Sequence, residues 1–252
     1  MKRGITTDFH AHILPGADHG SDSVKTSLGQ LALISAAGIR RVVATPHFYP
    51  TSDNVDVFLD RRNRCARALK DAMQPGSPSI MLGAEVLVCD KIDTMLGIER
   101  LAVHGTKCIL LEMPMTRWSD KILDTVEAIT ELDLEPVMAH IDRYDPRAVE
   151  ELMTLNVTAQ LNPGPFLSIK GRKFAERWLS SGKVVAIGSD LHHVNEKEYR
   201  GFVTAMESLG EHTEEIERAM LHTLAGAKMI SCRKPPEQEA PREEPHPETS
   251  NT

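Results

Sequence analysis

The chain has 252 residues, 41% hydrophobic and 26% charged, the balance of an ordinary soluble globular protein with length for one large α/β domain or two small ones. A formal net charge of −7 argues against a general nucleic-acid binder, which would carry a basic face. No apolar run reaches the length of a membrane span, no signal peptide is visible, and Cys65, Cys89, Cys108 and Cys232 lack Cys-x-x-Cys spacing, so thiols in a reducing cytoplasm are expected.

Residues 4–9 read as a short strand, followed by the Gly/Pro/Asp-rich loop Leu14–Gly20. Helix signals begin at Ser21 or Ser23, with Val24, Leu28, Leu31, Ile34 and Ala37 at helical spacing and Gly38 as terminator. A strand over Ile39–Thr45 ends in Pro46-His47, a polar helix covers Val55–Met73, and a third strand runs Ile80–Val88. A short helix and a loop are expected over 90–107. Next come a strand at Cys108–Glu112, a helix at Asp120–Leu132 and a strand at Leu134–Ala139 ending in His140. Helix Ala148–Leu155, strand Val157–Leu161, helix Phe174–Ser181 and strand Val184–Gly188 follow, then helices at 196–209, 212–222 and 223–230.

Short apolar strands alternating with helices imply parallel βαβ units. About seven such units favour a closed barrel over two domains, and no Gly-rich dinucleotide loop follows the first strand as an open doubly wound sheet would suggest. From Arg233 the composition changes to five prolines, five glutamates and no large apolar residue, so 233–252 is expected to be a disordered Pro/Glu-rich tail and 1–232 the folded domain.

Chemistry-bearing side chains fall where strands end: His10 and His12, His47, Glu85, Glu112, His140, then Asp190 and His192. In Asp8-Phe9-His10-Ala11-His12, residues two apart share a strand face, so two imidazoles and a carboxylate point one way. Any one of these residues is explained as a satisfied core histidine or a capping carboxylate. Jointly they are not, because strand ends gain nothing from stacking imidazoles and carboxylates unless bound cations offset the desolvation. In a parallel barrel the C-terminal strand ends share one face, where active sites are built.

His10-x-His12, Pro46-His47, Gly83-x-Glu85, Glu112, His140 and Ser189-Asp190-x-His192 resemble the motifs of the polymerase and histidinol phosphatase (PHP) superfamily. Phe9–Gly16, Ala44–His47, Gly83–Glu85, Ala139-His140-x-x-Arg143-Tyr144, Gln160–Asn162 and Ser189–His192 resemble more narrowly the bacterial capsule and exopolysaccharide tyrosine phosphatases of the CpsB/YwqE type. The resemblance spans about residues 4–230 and implies a distorted (β/α)7 barrel with up to three divalent metals. Carried over by position, one metal takes His10, His12, Glu85 and Asp190; a second shares Glu85 and adds Glu112 and His140; a third takes His47, His192 and a residue of the Asp18-His19 loop. Mixed nitrogen and oxygen donors suit manganese, iron or zinc, with manganese favoured by the family. Two motifs depart from the family pattern: His19 stands where a second acid is usual, and His140-Ile141-Asp142-Arg143 lacks the usual proline.

The implied activity is hydrolysis of phosphotyrosine by a hydroxide generated at the metals, on a membrane-linked bacterial tyrosine kinase that controls capsule or exopolysaccharide synthesis. Arg143 would hold the phosphate, His19 or Asp18 is the candidate proton donor, and Lys197 or Arg200 could supply the basic residue expected after Ser-Asp-x-His. No cysteine is followed six residues later by arginine, so thiol-based phosphatase chemistry is not expected. Asp8 reads as a residue orienting a histidine, whereas His104, His193, His212 and His222 read as core or surface histidines. The rival readings are hydrolysis of a small phosphomonoester such as histidinol phosphate, phosphodiester cleavage, and a non-catalytic metal-binding regulator. The partner set is thus a kinase, no nucleic acid and no membrane insertion, with oligomerisation open.

Overall fold

The computed structural model describes residues 4–232; the expected tail, 233–252, lies outside the described residues. In order the chain forms β1 (Thr7–Ala11), α1 (Val24–Ala36), β2 (Arg41–Ala44), β3 (His47–Phe48), α2 (Val55–Ala72), β4 (Ser79–Leu82), β5 (Glu85–Leu87) and β6 (Cys108–Glu112). It continues through α3 (Asp120–Thr130), β7 (Glu135–Met138), α4 (Pro146–Leu152), β8 (Thr158–Leu161), α5 (Ile169–Ser180), β9 (Val184–Ile187), α6 (Glu196–Ser208), α7 (Thr213–Thr223) and β10 (Met229–Ile230).

Local chemistry explains most boundaries. The side chains of Ser23, Asn54, Asp145 and Asn195 accept backbone N–H bonds at the starts of α1, α2, α4 and α6. Gly38, with φ +83°, follows the first helix where the chain must reverse into β2. Helix α2 buries Phe58, Leu59, Ala66 and Leu69, and the Phe58 ring meets Phe48 edge-on at 5.2 Å.

The strands fall in two sheets, β1-β2-β4-β10 and β3-β5-β6-β7-β8-β9, and every pairing is parallel except β10 with β4. Hydrogen bonds stitch the sheets together on both sides. Gly83 N donates to Ala44 O (2.9 Å) and Glu85 N to Pro46 O (3.1 Å), so pairing continues across the gaps between β2 and β3 and between β4 and β5. On the far side Asp190 N donates to His10 O (2.7 Å) and His12 N to Leu191 O (2.9 Å). The result is a mixed α/β domain with parallel sheets.

Two expectations change. The strand foreseen over Ile80–Val88 breaks at Gly83-Ala84, and its halves join different sheets. Buried Arg62, pushed down to about 10 by burial, braces that break by donating to Gly83 O at 3.0 Å. The helix expected over 223–230 is absent: Gly226 takes φ +88° and β10 pairs with β4 instead. Among the described residues no helix is long and apolar enough to cross a membrane.

Close packing at the second seam gives a test. A Cβ added to Gly188 would lie 2.5 Å from His10 Cβ and 3.0 Å from His10 N. Gly188→Ala is expected to lower stability by about 1–3 kcal/mol, seen as a fall in the urea midpoint; an unchanged midpoint would show that the seam is loosely packed.

Candidate metal centre

Alternation along β1, carried one residue past its end, sends His10 and His12 to one side, and in-register pairing of β3 with β5 sets His47 against Glu85. Glu112 ends β6 beside Leu87 of β5. Beyond β7 and β9 the backbone turns into the left-handed region at His140 (φ +32°) and Asp190 (φ +55°), a conformation disfavoured for L side chains and concentrated at functional sites. Both turns bring their side chains onto the same cluster.

Glu85 lies at its centre. Its Oε2 is 3.2 Å from His10 Nε2, 3.2 Å from His12 Nε2 and 3.1 Å from His47 Nδ1, while Oε1 is 2.7 Å from His140 Nε2. Asp190 Oδ1 lies 3.5 Å from His10 Nε2, 3.4 Å from His12 Nε2 and 3.5 Å from His192 Nδ1. Three overlapping groups place their donor atoms within 4.8 Å of one another: His10, His12, Glu85 and Asp190; His47, Glu85 and Glu112; His12, His47 and His192.

Three atoms of this cluster (His47 Nδ1, Glu85 Oε2 and Asp190 Oδ1) are buried without a hydrogen-bond partner among the described residues. Each orphaned polar atom costs about 1–3 kcal/mol, and divalent cations would satisfy all three together. The donor set, imidazole nitrogens with carboxylate oxygens, fits a transition-metal site.

The charges agree. Burial opposes a proton on His10 and His12, but Glu85 and Asp190 beside both, with Asp18 also on His12, outweigh it and raise both pKa values. Burial also opposes ionisation of Glu85 and Asp190, yet the surrounding histidines hold both well below the usual carboxylate range. Burial and then the charge of Glu85 push Glu112 up to about 7. Burial lowers His47 and His192 to about 4, leaving both neutral at pH 7 with lone pairs available to a metal. Cys65, Cys89 and Cys108 are pushed above the ordinary thiol range by burial, which leaves none of them poised as a thiolate nucleophile.

A surrounding layer aims these groups. Gln160 Oε1 lies 3.2 Å from His10 Nδ1 and accepts from His140 N at 2.8 Å, and its Nε2 donates to Asn162 Oδ1 at 2.8 Å. Asn162 Nδ2 in turn donates to Asp190 Oδ2 at 3.1 Å. Tyr144 OH accepts from Met113 N at 3.0 Å and lies 3.3 Å from His140 Nδ1. Gln160, Asn162 and Tyr144 lie within motifs quoted for the resemblance, but no role for them follows from sequence alone. The signal was there in outline: polar Gln160 and Asn162 two apart at the end of a strand share its face.

Several expectations shift. His47 stands with Glu85 and Glu112 where His140 was expected, because its strand pairs directly with that of Glu85; His140 reaches the same carboxylates at 2.7 and 4.0 Å. His12 completes the third group in place of the Asp18-His19 loop. Asp18 is neither in a donor group nor suited to give a proton. Its Oδ2 accepts from His12 Nδ1 at 2.6 Å and His47 N at 3.0 Å, and Oδ1 from Gly20 N at 2.9 Å. Burial opposes its charge, but His12 holds it well below the carboxylate range.

His19 is exposed, its ring stacked 4.6 Å from that of His47 and 5.0 Å from that of His192. Arg143 Nη2 donates to Asp190 Oδ2, which puts a half-exposed guanidinium with further N–H donors beside the cluster. Lys197 sits in the first turn of α6, and its side chain makes no hydrogen bond or ion pair with these residues; Arg200 lies within 3.9 Å of Glu196. Asp8 grips the Asp190 segment instead of the His10 ring: Oδ1 accepts from Ser189 N at 2.9 Å, and Tyr199 OH donates to Oδ2 at 3.3 Å.

The profile of a family described as "Capsular polysaccharide synthesis, CpsB/CapC" matches residues 6–230. The chain is 23% identical over 209 residues to "Tyrosine-protein phosphatase YwqE" of Bacillus subtilis (strain 168), covering 76% of this chain and 79% of that protein. It is 26% identical over 214 residues to "Tyrosine-protein phosphatase CpsB" of Streptococcus pneumoniae, covering 75% and 84%. A solved structure of YwqE from Bacillus subtilis and CpsB from Streptococcus pneumoniae, titled "unique metal-dependent tyrosine phosphatases", shares the fold with a TM-score of 0.70. That likeness holds at 19% identity and covers 91% of this chain and 100% of the other.

Because His10 and His12 carry raised pKa values and Glu112 titrates near 7, metal must displace protons. Metal affinity is expected to rise as pH climbs through about 7, with proton release detected by titration calorimetry in buffers of differing ionisation enthalpy; binding without proton release would contradict this. Gln160→Leu, which unseats His10, His140 and Asn162 together, is expected to weaken metal binding about 10- to 100-fold in the same assay.

Proposed function

The chain belongs to the capsular polysaccharide synthesis family CpsB/CapC, and on that premise we propose that it is a metal-dependent protein-tyrosine phosphatase. The single observation that carries this reading is the overlap of three donor groups, two sharing Glu85 and a third made of His12, His47 and His192, with their orphaned buried atoms, directly beside the Arg143 guanidinium. We read the two stitched sheets as a distorted (β/α)7 barrel whose strand ends supply that face, a reading supported by the seam between β1 and the segment after β9.

His10, His12, Glu85 and Asp190 would hold one cation, His47, Glu85 and Glu112 a second, and His12, His47 and His192 a third, with His140 braced against Glu85. Manganese is the favoured ion, with iron or zinc as alternatives. When bound, such cations supply Lewis acidity toward phosphoryl oxygens and a water acidified to near neutral pH.

The chain's own groups do the rest. Arg143 presents paired N–H donors to the phosphate and offsets charge that grows in the transition state, while Asp190 fixes its orientation. Asp18 keeps His12 in one tautomer and orientation. His19, exposed and stacked against His47 and His192, would give a proton to the departing phenolate. The partner we carry forward is a cytoplasmic phosphotyrosine segment of a membrane-linked bacterial tyrosine kinase.

Manganese-loaded protein is expected to release phosphate from a tyrosine-phosphorylated peptide far faster than from histidinol phosphate or a dinucleotide. Metal-loaded protein inactive on all three would overturn the enzymatic reading, and preference for either small ester would reassign the substrate. Arg143→Lys, which keeps the charge but loses the planar fork, should lower kcat/KM about 100-fold, and His19→Ala should lower kcat more for poor leaving groups than for p-nitrophenolate.

A further inference from the structure

A groove of about 530 Å3 opens beside Arg143, between residues 113–119 after β6 and the turn that leads into α4. One wall is aromatic. Trp118 is pinned by its Nε1–H to Pro114 O at 2.8 Å and meets the Tyr144 ring edge-on at 5.2 Å, and Tyr144 OH is the group 3.3 Å from His140 Nδ1. The groove therefore shares Arg143 and Tyr144 with the metal centre.

Its charged lining is unevenly committed. Asp145 spends its carboxylate on the N–H groups of Arg147 and Ala148 at the start of α4, and Asp120 lies in the first turn of α3, where the helix dipole favours its charge. Glu151 is an exposed acid one helical turn beyond Arg147. Arg117 and Arg147 are exposed and make no ion pair among the described residues, unlike Arg143. Met115, 71% exposed, adds an apolar rim. A small phosphate ester bound at the metals would leave this surface unused. A peptide running outward from a phosphotyrosine would cover it.

We propose that this groove receives the polypeptide flanking the phosphotyrosine, with Trp118 and Met115 against its side chains and Arg117 and Arg147 pairing with acidic residues beside the phosphorylated tyrosine. The inference rests on the phosphatase reading and narrows its substrate to an acidic phosphopeptide. In this reading Arg117 and Arg147 set specificity for the flanking segment, and Arg143 takes the phosphate.

The test compares wild type with an Arg117→Glu/Arg147→Glu variant, its fold checked by circular dichroism. Kinetics use an acidic phosphotyrosine peptide, a neutral one and p-nitrophenyl phosphate. Fluorescence anisotropy uses a labelled acidic peptide carrying a non-hydrolysable phosphonate in place of the phosphate. The variant is expected to lose about ten-fold in acidic-peptide kcat/KM relative to p-nitrophenyl phosphate, carried in KM, with a similar loss of peptide affinity and a smaller loss for the neutral peptide. An unchanged ratio and affinity would overturn the proposal while the phosphatase reading stood. Arginine-dependent peptide binding without hydrolysis would support the groove and refute the phosphatase reading.

Discussion

The carboxylate of Glu85 is 1% exposed and stands within 3.2 Å of four imidazoles, those of His10, His12, His47 and His140. Removing one carboxylate and four rings from water is unfavourable unless nearly every donor and acceptor is engaged. Here His47 Nδ1, Glu85 Oε2 and Asp190 Oδ1 make no hydrogen bond among the described residues. A cluster this demanding constrains everything around it: strands must end together, and their registers must put five separate segments on one spot.

The fold meets that constraint with hydrogen bonds as much as with apolar packing. In-register pairing places His47 against Glu85, and the breaks at Thr45-Pro46 and Gly83-Ala84 let β3 and β5 enter the second sheet while β2 and β4 stay in the first. Asp8, buried with its pKa raised to about 6 by burial, ties the Ser189-Asp190 segment to β1 through Ser189 N and Tyr199. Gln160 spans His10, His140 and Asn162. The left-handed backbone at His140 and Asp190 is the residual strain, held by these bonds at the two places where ligand-type side chains leave their strands.

Much of this was legible in the chain. The strand ends announced themselves because histidines and carboxylates interrupt apolar runs at His12, His47, Glu112, His140 and Asp190, and turns such as that at Gly38 carry their own chemistry. What stayed hidden depended on pairing partners. Residues 80–88 are mostly apolar on both sides of Gly83-Ala84, so periodicity could not show that their two halves serve different sheets. Residues 223–230 carry helix formers, and only the approach of β4 makes the last of them a strand. Asp18 looked like a ligand or an acid; its three hydrogen bonds reveal a residue that holds His12 in place.

On the proposed reading, the centre and the groove beside Arg143 form one site for hydrolysing an ester carried on a chain. The claim under both is that Glu85 is shared between cations. Elemental analysis of protein loaded with manganese and freed of excess ion tests it most directly, beside a Glu85→Gln variant and a His192→Ala variant. More than one manganese per wild-type chain is expected, with loss of at least two ions in Glu85→Gln and of no more than one in His192→Ala. A single ion per wild-type chain, or a Glu85→Gln variant that keeps the full complement, would contradict it.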